Sequence, residues 1–482
     1  MRSLGGNRSR FSFVGIMATI QVGVLVYRYL LAVTVGPELF GAVDAVVVTA
    51  TLAANVGSLG MAAAVSHFAS IFKLDAVAAS RRIGTAVLIN AGSLSIVTCI
   101  SVLWLRSWEN GQELQGFSAN ELYGVLAVAL ASSVALALTN GLVSLEQFSA
   151  ASKANLFRVS TLLASVLVFA FFEAVAVIYW ILAAVAIAWA LQGLWSARRL
   201  LSLLPAMRPS VAVAREVLQF GLAAMLHATG SWTLLALDRV LLKDRVAEVE
   251  LGRYSYAYLF AFSYTQVYLL ANQAWRTTVY QLLADSKRSA AEVREFFLPA
   301  RRLIATLAGL AMVSVPVVSG LLAPARFSGT GEIVVVLTLG AFWLGQYITT
   351  VNVVFFNSKL VALSLVSLTT GVLTGIPILL FVEEHGVIVA AWATAGGYFA
   401  LFVFSTLIID RLCNVSLGVG GAIAPGVALA VAAVLYDFNV MALRTLSVTI
   451  SLGVSALTGA LLWRSRRSQT GLNHTDVKNA LE

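Results

Sequence analysis

The stretch LLALDRVLLKDRVAEVELGRYSYAY, residues 234–258, decides how the rest of the chain is read. It opens inside a long apolar run and carries an acid–base pair, Asp238–Arg239, near the end of that run. A short charged loop follows, then Gly252, then a tyrosine-rich segment. The same skeleton lies 211 positions earlier, in YRYLL at residues 27–31 and GPELFG at residues 36–41. Arg239 falls on Arg28, Leu241–Leu242 on Leu30–Leu31, and Gly252 on Gly41. The chain starts over at its midpoint, and internal repetition of this kind sets the architecture before any local motif does.

Working outward, hydrophobic residues make up 59% of the chain and charged residues 11%, against roughly 25% charge in an ordinary soluble domain. Nearly the whole length reads as apolar runs of about 20 residues, the length that crosses a bilayer as helix. The alternation over about 10 residues expected of a membrane β-barrel is missing. The excess of 32 Lys+Arg over 23 Asp+Glu is therefore a topology signal, not a nucleic-acid signal. Cys99 and Cys413 are far apart and suggest neither a disulfide framework nor a metal site. The first apolar run lacks a cleavage-site pattern, which predicts that it is retained as a span.

These runs predict an all-α polytopic membrane protein of about 14 transmembrane helices. The spans fall near 11–35, 39–63, 83–105, 122–144, 157–173, 175–197, 216–241, 254–275, 303–322, 332–356, 360–381, 387–409, 417–436 and 443–463. Roughly 24 basic residues fall on one side of this pattern and roughly 6 on the other, so the positive-inside rule makes the first side, with both termini, cytoplasmic. Thr139–Asn140 with Ser152–Lys153, and Asn352 with Asn357–Ser358–Lys359, extend the repeat to the fourth and tenth spans. The expected organisation is a six-helix bundle at 1–197, a linker at 198–215, a second six-helix bundle at 216–410, an added helix pair at 411–463 and a cytoplasmic tail at 464–482. Even-numbered halves of like orientation are related by a pseudo-two-fold along the membrane normal. The tail after Arg467 is polar and expected to be unstructured.

Polar side chains inside spans are costly and mark bundle interiors or hydrated cavities. Here they fall at helical steps: Gln21 and Arg28; Asp44, Thr51, Asn55 and Ser58; His227, Ser231 and Asp238; Tyr254, Tyr258, Thr265, Tyr268, Asn272 and Trp275; Gln346, Thr350 and Asn357. Such spacing keeps each set on one helix face. It predicts a cavity between the two bundles. Arg28 and Asp44 sit at similar depth in the outer half of the membrane and are placed to pair across their hairpin. Structural readings stand beside functional ones: an ion pair that fixes the hairpin, a snorkelling Arg239 and an interior, hydrogen-bonded His227.

Three stretches together resemble the Wzx-type flippases of the multidrug/oligosaccharidyl-lipid/polysaccharide exporter superfamily. They are RYLLAVTVGPELFG at 28–41, LDRVLL at 237–242 with LGRYSYAY at 251–258, and GVIVAAWAT at 386–394, where Val389 replaces a glycine usual in the family. The resemblance covers about residues 11–463. It implies a non-enzymatic transporter in the bacterial inner membrane. That transporter would move undecaprenyl-diphosphate-linked oligosaccharide to the outer leaflet by alternating access, for exopolysaccharide, O-antigen or capsule synthesis. The implied partners are the polyprenyl-diphosphate-linked glycan, the lipid bilayer and other polysaccharide-assembly membrane proteins. No cofactor is expected beyond H+ or Na+ as coupling ion. Arg28 and Arg239 are the cationic candidates for the diphosphate. Tyr258, Tyr268 and Trp275, with Gln21, are candidates for the glycan. Asp44, Asp238 and His227 are candidates for ion coupling. The rivals are a MATE-like cation-coupled exporter of small molecules and, in another class, a membrane-embedded glycan polymerase or ligase. No loop is large enough to carry the catalytic residues of the latter.

Overall fold

A computed structural model describes residues 3–72, 75–106, 118–169, 177–204, 208–269, 272, 279, 282–283, 290–357, 359–413, 420–437 and 440–479. Regular structure among them is helical: α1 Ser3–Val35, α2 Pro37–Gly57, α3 Met61–Ile71, α4 Ala76–Arg106, α5 Ala119–Ser144, α6 Phe148–Phe169, α7 Val177–Leu203, α8 Val211–Leu242, α9 Glu248–Ser263, α10 Ala290–Leu322, α11 Gly331–Phe356, α12 Leu360–His385, α13 Ile388–Leu412, α14 Gly420–Asp437 and α15 Met441–Asn479. Twelve of them are long and apolar enough to cross a membrane. The predicted spans near 254–275 and 417–436 correspond to the shorter α9 and α14.

The helix starts follow local chemistry. Gly36 takes φ 85° and turns the chain, Pro37 follows at the first helical position, and Glu38 lies in the first turn of α2. A fixed φ suits that position and a carboxylate suits the positive end of the helix. The start of α5 is a capping box between Ser118 and Glu121.

Several boundaries differ from the sequence reading. The span at 39–63 is not one helix: Leu59 (φ 51°) and Gly60 (φ 69°) break it into α2 and α3. Their left-handed backbone is held by packing, because a Cβ on Gly60 would lie 2.1 Å from the Gly221 carbonyl oxygen. The apolar residues on both flanks hide this break from a hydropathy scan. The span at 157–173 begins nine residues earlier, at Phe148, because Ser152, Lys153 and Asn155 are helical. The eighth span turns at Tyr264, which divides the tyrosine stripe. The helix of the last span continues to Asn479, so the polar tail is helical to that point; Gly471 is the only strong helix breaker in it. Residues 107–117 and 170–176 lie outside the described residues.

The helices form two compact units. The first, residues 1–259 with 360–390, holds α1–α8, most of α9, and α12. Its helices pack through small residues, as membrane helices do where apolar burial gives no net drive. A Cβ on Gly230 would meet the Ser367 side chain at 2.6 Å, and one on Gly371 the Thr233 side chain at 2.5 Å, so α8 and α12 lie close. The Trp232 indole on α8 donates to the Val48 carbonyl on α2 at 2.6 Å. Neutral side chains bridge the remaining helices: Thr139 and Ser196 hydroxyls at 2.9 Å, Gln192 to Thr139 at 3.0 Å, and Ser133 to Asn90 at 2.9 Å.

The second unit, residues 260–359 with 391–482, is built around α11, which is buried almost all round. The Trp343 ring packs on Phe399 and Phe402 and fills the space left by Gly426, whose Cβ would lie 2.1 Å from the ring. Gln346 and Thr350, expected on a cavity wall, are fully buried. Gln346 donates to the Arg301 carbonyl while its own Oε1 is buried without a partner, and Thr350 donates to the Tyr347 carbonyl, which satisfies that hydroxyl without solvent. The added C-terminal pair docks here. Thr306 and Thr458 hydroxyls meet at 2.8 Å, Ser455 donates to the Thr306 carbonyl, and Arg444 pairs with Glu332 at 3.1 Å.

Candidate functional site

The charged cluster lies in the first unit, where α1, α2, α8 and α9 supply Arg28, Asp44, Asp238–Arg239 and Tyr254–Tyr258. Asp44 divides its two carboxylate oxygens between the repeat-related arginines. Arg28 donates to Oδ1, and Arg239 to Oδ2 at 3.2 Å. The expected Arg28–Asp44 pair across the hairpin is present, and Arg239 joins it.

Arg239 does not snorkel. It is 2% exposed, and its guanidinium also reaches Asp238 at 3.4 Å and the Leu235 carbonyl. The Tyr258 ring lies 3.9 Å below it, and the Tyr258 hydroxyl donates to the same Leu235 carbonyl at 2.9 Å. Asp238 is completed by the Arg239 backbone N–H at 2.8 Å and the Tyr254 hydroxyl at 2.5 Å. Two arginines and two aspartates make the ionised cluster neutral, which is what a low-dielectric site requires. Its members are not equally enclosed: the Arg28 side chain is 28% exposed, the Asp44 side chain 5%. Arg28 is thus the one charge able to meet an incoming anion without dismantling the rest.

The repeat explains this geometry. The offset that carries Arg28 onto Arg239 also carries Pro37, where α2 begins, onto Glu248, where α9 begins. Gly41 and its counterpart Gly252 face each other: a Cβ on Gly41 would lie 2.7 Å from the Gly252 nitrogen, and one on Gly252 1.9 Å from the Pro37 carbonyl oxygen. Two equivalent helix starts therefore cross backbone to backbone, and equivalent arginines converge on the same place. The symmetry fails at the carboxylate, since the offset carries Asp44 onto Ser255. The second copy instead has Asp238 beside its arginine. The sequence places Tyr254 on the polar stripe of its span but gives it no role, and it does not single out the Leu235 carbonyl, because a helix-face pattern does not show which residue reaches an acid on another helix.

The other candidates are not in this cluster. Gln21 is half-buried on α1, seven residues before Arg28. His227 is half-buried on α8, eleven residues before Asp238, which is about 16 Å along the helix. Tyr268 belongs to the second unit, is 4% exposed and donates to the Ile304 carbonyl at 3.2 Å. Trp275 lies outside the described residues.

The structure of lipid II flippase MurJ in an inward closed conformation superposes with a TM-score of 0.65, covering 94% of this chain and 99% of that one at 13% identity. The chain has the fold shared by MurJ and the MATE transporters. A MATE protein in complex with MaL6 gives a TM-score of 0.60 at 14% identity, covering 85% of this chain and 97% of its own. The eukaryotic MATE transporter AtDTX14 gives 0.56 at 14% identity, covering 88% and 100%. No protein-family model matches the sequence, and no curated protein matches it. The chain is thus a multi-pass membrane protein with the architecture of a flippase and of transporters.

Proposed function

We propose that the chain flips a polyprenyl-diphosphate-linked oligosaccharide across the bacterial cytoplasmic membrane, with both termini cytoplasmic, to supply exopolysaccharide, O-antigen or capsule assembly. The observation that carries this reading is how much of the chain is matched. The MATE structures are used up, at 97% and 100% of their own length, while 85% and 88% of this chain is covered. The MurJ flippase takes in 94% of it. The length beyond a MATE-sized transporter is thus largely shared with a protein named a lipid II flippase. The motif resemblance to Wzx-type flippases points the same way.

Within this reading Arg28 contacts the diphosphate. A guanidinium offers paired donors to phosphate oxygens, and Arg28 is the half-open member of the cluster. As the diphosphate takes Arg28, Asp44 keeps Arg239, so the buried carboxylate is never left without a cation. Arg239 then positions Asp44 and does not touch the substrate. Tyr258, beneath the Arg239 guanidinium, and Tyr268, bonded to the Ile304 carbonyl, are both buried, so each contacts the glycan only in a conformation that exposes it. Asp44 and Asp238 are the carboxylates whose protonation or cation binding would couple transport to H+ or Na+, with His227 as a further proton carrier.

The test is leaflet-resolved transport in proteoliposomes with Arg28→Lys and Arg28→Ala at matched protein content. The expected result is partial activity in Arg28→Lys and loss in Arg28→Ala. Full activity in Arg28→Ala removes the diphosphate role. A MATE-like exporter is the second reading, favoured by the shared fold, and it is separated by whether an organic cation is transported instead.

A further inference from the structure

The first unit holds a further cation inside the membrane-spanning region, and it lies outside the cluster that the transport reading uses. Arg158, on α6, rests its guanidinium on the Trp189 ring of α7 at 4.2 Å. Its Nε is buried without a hydrogen-bond partner, and among the described residues no carboxylate lies within ion-pair distance of it. This differs from Arg28 and Arg239, each of which has an aspartate. A cation in a span without a protein counter-ion is costly, and such residues pair or snorkel toward the interface.

The surroundings are exposed and apolar. Leu156, Phe157, Leu194 and Trp195 are exposed apolar side chains, and the Phe157 and Trp195 rings lie 5.0 Å apart. One turn and a little more toward the start of α6 comes exposed Lys153, and at that start Arg199 reaches Gln147 at 3.4 Å. Lys153 and Gln147 lie on the N-terminal side of Arg158 along α6, the side that positive-inside counting makes cytoplasmic. The seam between α6 and α7 therefore offers a stacked guanidinium with its Nε edge sealed, an aromatic pair suited to the glycerol–acyl boundary, and flanking cations. We infer that this seam binds the phosphate of an anionic phospholipid in the leaflet on the Lys153 side, with Arg158 as the phosphate ligand and Trp189 as its platform. The inference does not depend on what the chain transports.

Native mass spectrometry of the delipidated protein tests it, with phosphatidylglycerol, phosphatidylcholine and a polyprenyl phosphate as probes. The wild type is expected to retain one phosphatidylglycerol in preference to phosphatidylcholine. Arg158→Gln is expected to weaken that binding roughly tenfold or more, the scale of a lost charge-assisted hydrogen bond, with partial retention in Arg158→Lys. Equal retention by wild type and Arg158→Gln overturns the inference, as does preference for the polyprenyl phosphate at the same site. If Arg158→Gln does not fold, the wild type alone decides, because no preference for phosphatidylglycerol over phosphatidylcholine overturns it equally.

Discussion

Replacing Asp44 with asparagine tests the logic of the charged cluster, because the four ionised groups no longer sum to zero. Arg28 loses its one ion pair but has 28% of its side chain exposed, so water can take it over. Arg239, at 2% exposure, keeps only Asp238, the Leu235 carbonyl and the Tyr258 ring. Stranding a buried charge by removing one partner costs about 3–5 kcal/mol. Arg28→Gln leaves Asp44 paired with Arg239 and removes one charged hydrogen bond, worth about 1.5–3 kcal/mol. Arg239→Gln leaves Asp44 with Arg28 alone and Asp238 without a cation, and is the most damaging of the three. The double variant Asp44→Asn with Arg28→Gln restores neutrality, so its loss is smaller than the two single losses combined, by about 0.5–3 kcal/mol. Unfolding in mild detergent, followed by loss of the monodisperse chromatographic peak, reads the order. Arg28→Gln as destabilising as Arg239→Gln, or strict additivity in the double variant, would refute the shared-carboxylate account.

Two further outcomes follow from packing and burial. Gly252→Ala places a Cβ against the Pro37 carbonyl and forces α2 and α9 apart, at about 1–3 kcal/mol or more; Gly92→Ala, with nothing within 4 Å, is the control and should melt no lower than wild type. Burial raises the Cys413 thiol, an effect that nearby Lys359 opposes only in part. Less thiolate is then present at a given pH, so in a Cys99→Ser background maleimide labels folded Cys413 more slowly than a peptide thiol. Equal rates would show that the thiol is not buried.

Much of this architecture was legible because the repeat is written in residues that shape backbone. Gly41 with Gly252 and Arg28 with Arg239 align by sequence, and the structure brings each pair together. The Arg28–Asp44 pair was legible from depth alone, since a hairpin places equal depths side by side. Arg239 joining Asp44 was not, because the repeat puts Ser255 where a second carboxylate would be sought. The break at Leu59–Gly60 was hidden for another reason. Leucine rarely takes a left-handed backbone, and what stabilises it is Gly221 on a helix some 160 residues away. The bridges among Thr139, Gln192 and Ser196 escaped notice because neutral side chains in apolar runs give no charge signal, and their partners lie on other helices.

The central claim is that this fold moves a lipid-linked glycan. Its most direct measurement is side-by-side transport in proteoliposomes of the wild-type protein, with a polyprenyl-diphosphate-linked oligosaccharide in one set and an organic cation in the other. The account predicts that the glycan lipid becomes accessible in the opposite leaflet, faster than in protein-free vesicles, while the cation stays put. Movement of the cation with no flipping of the lipid would contradict it.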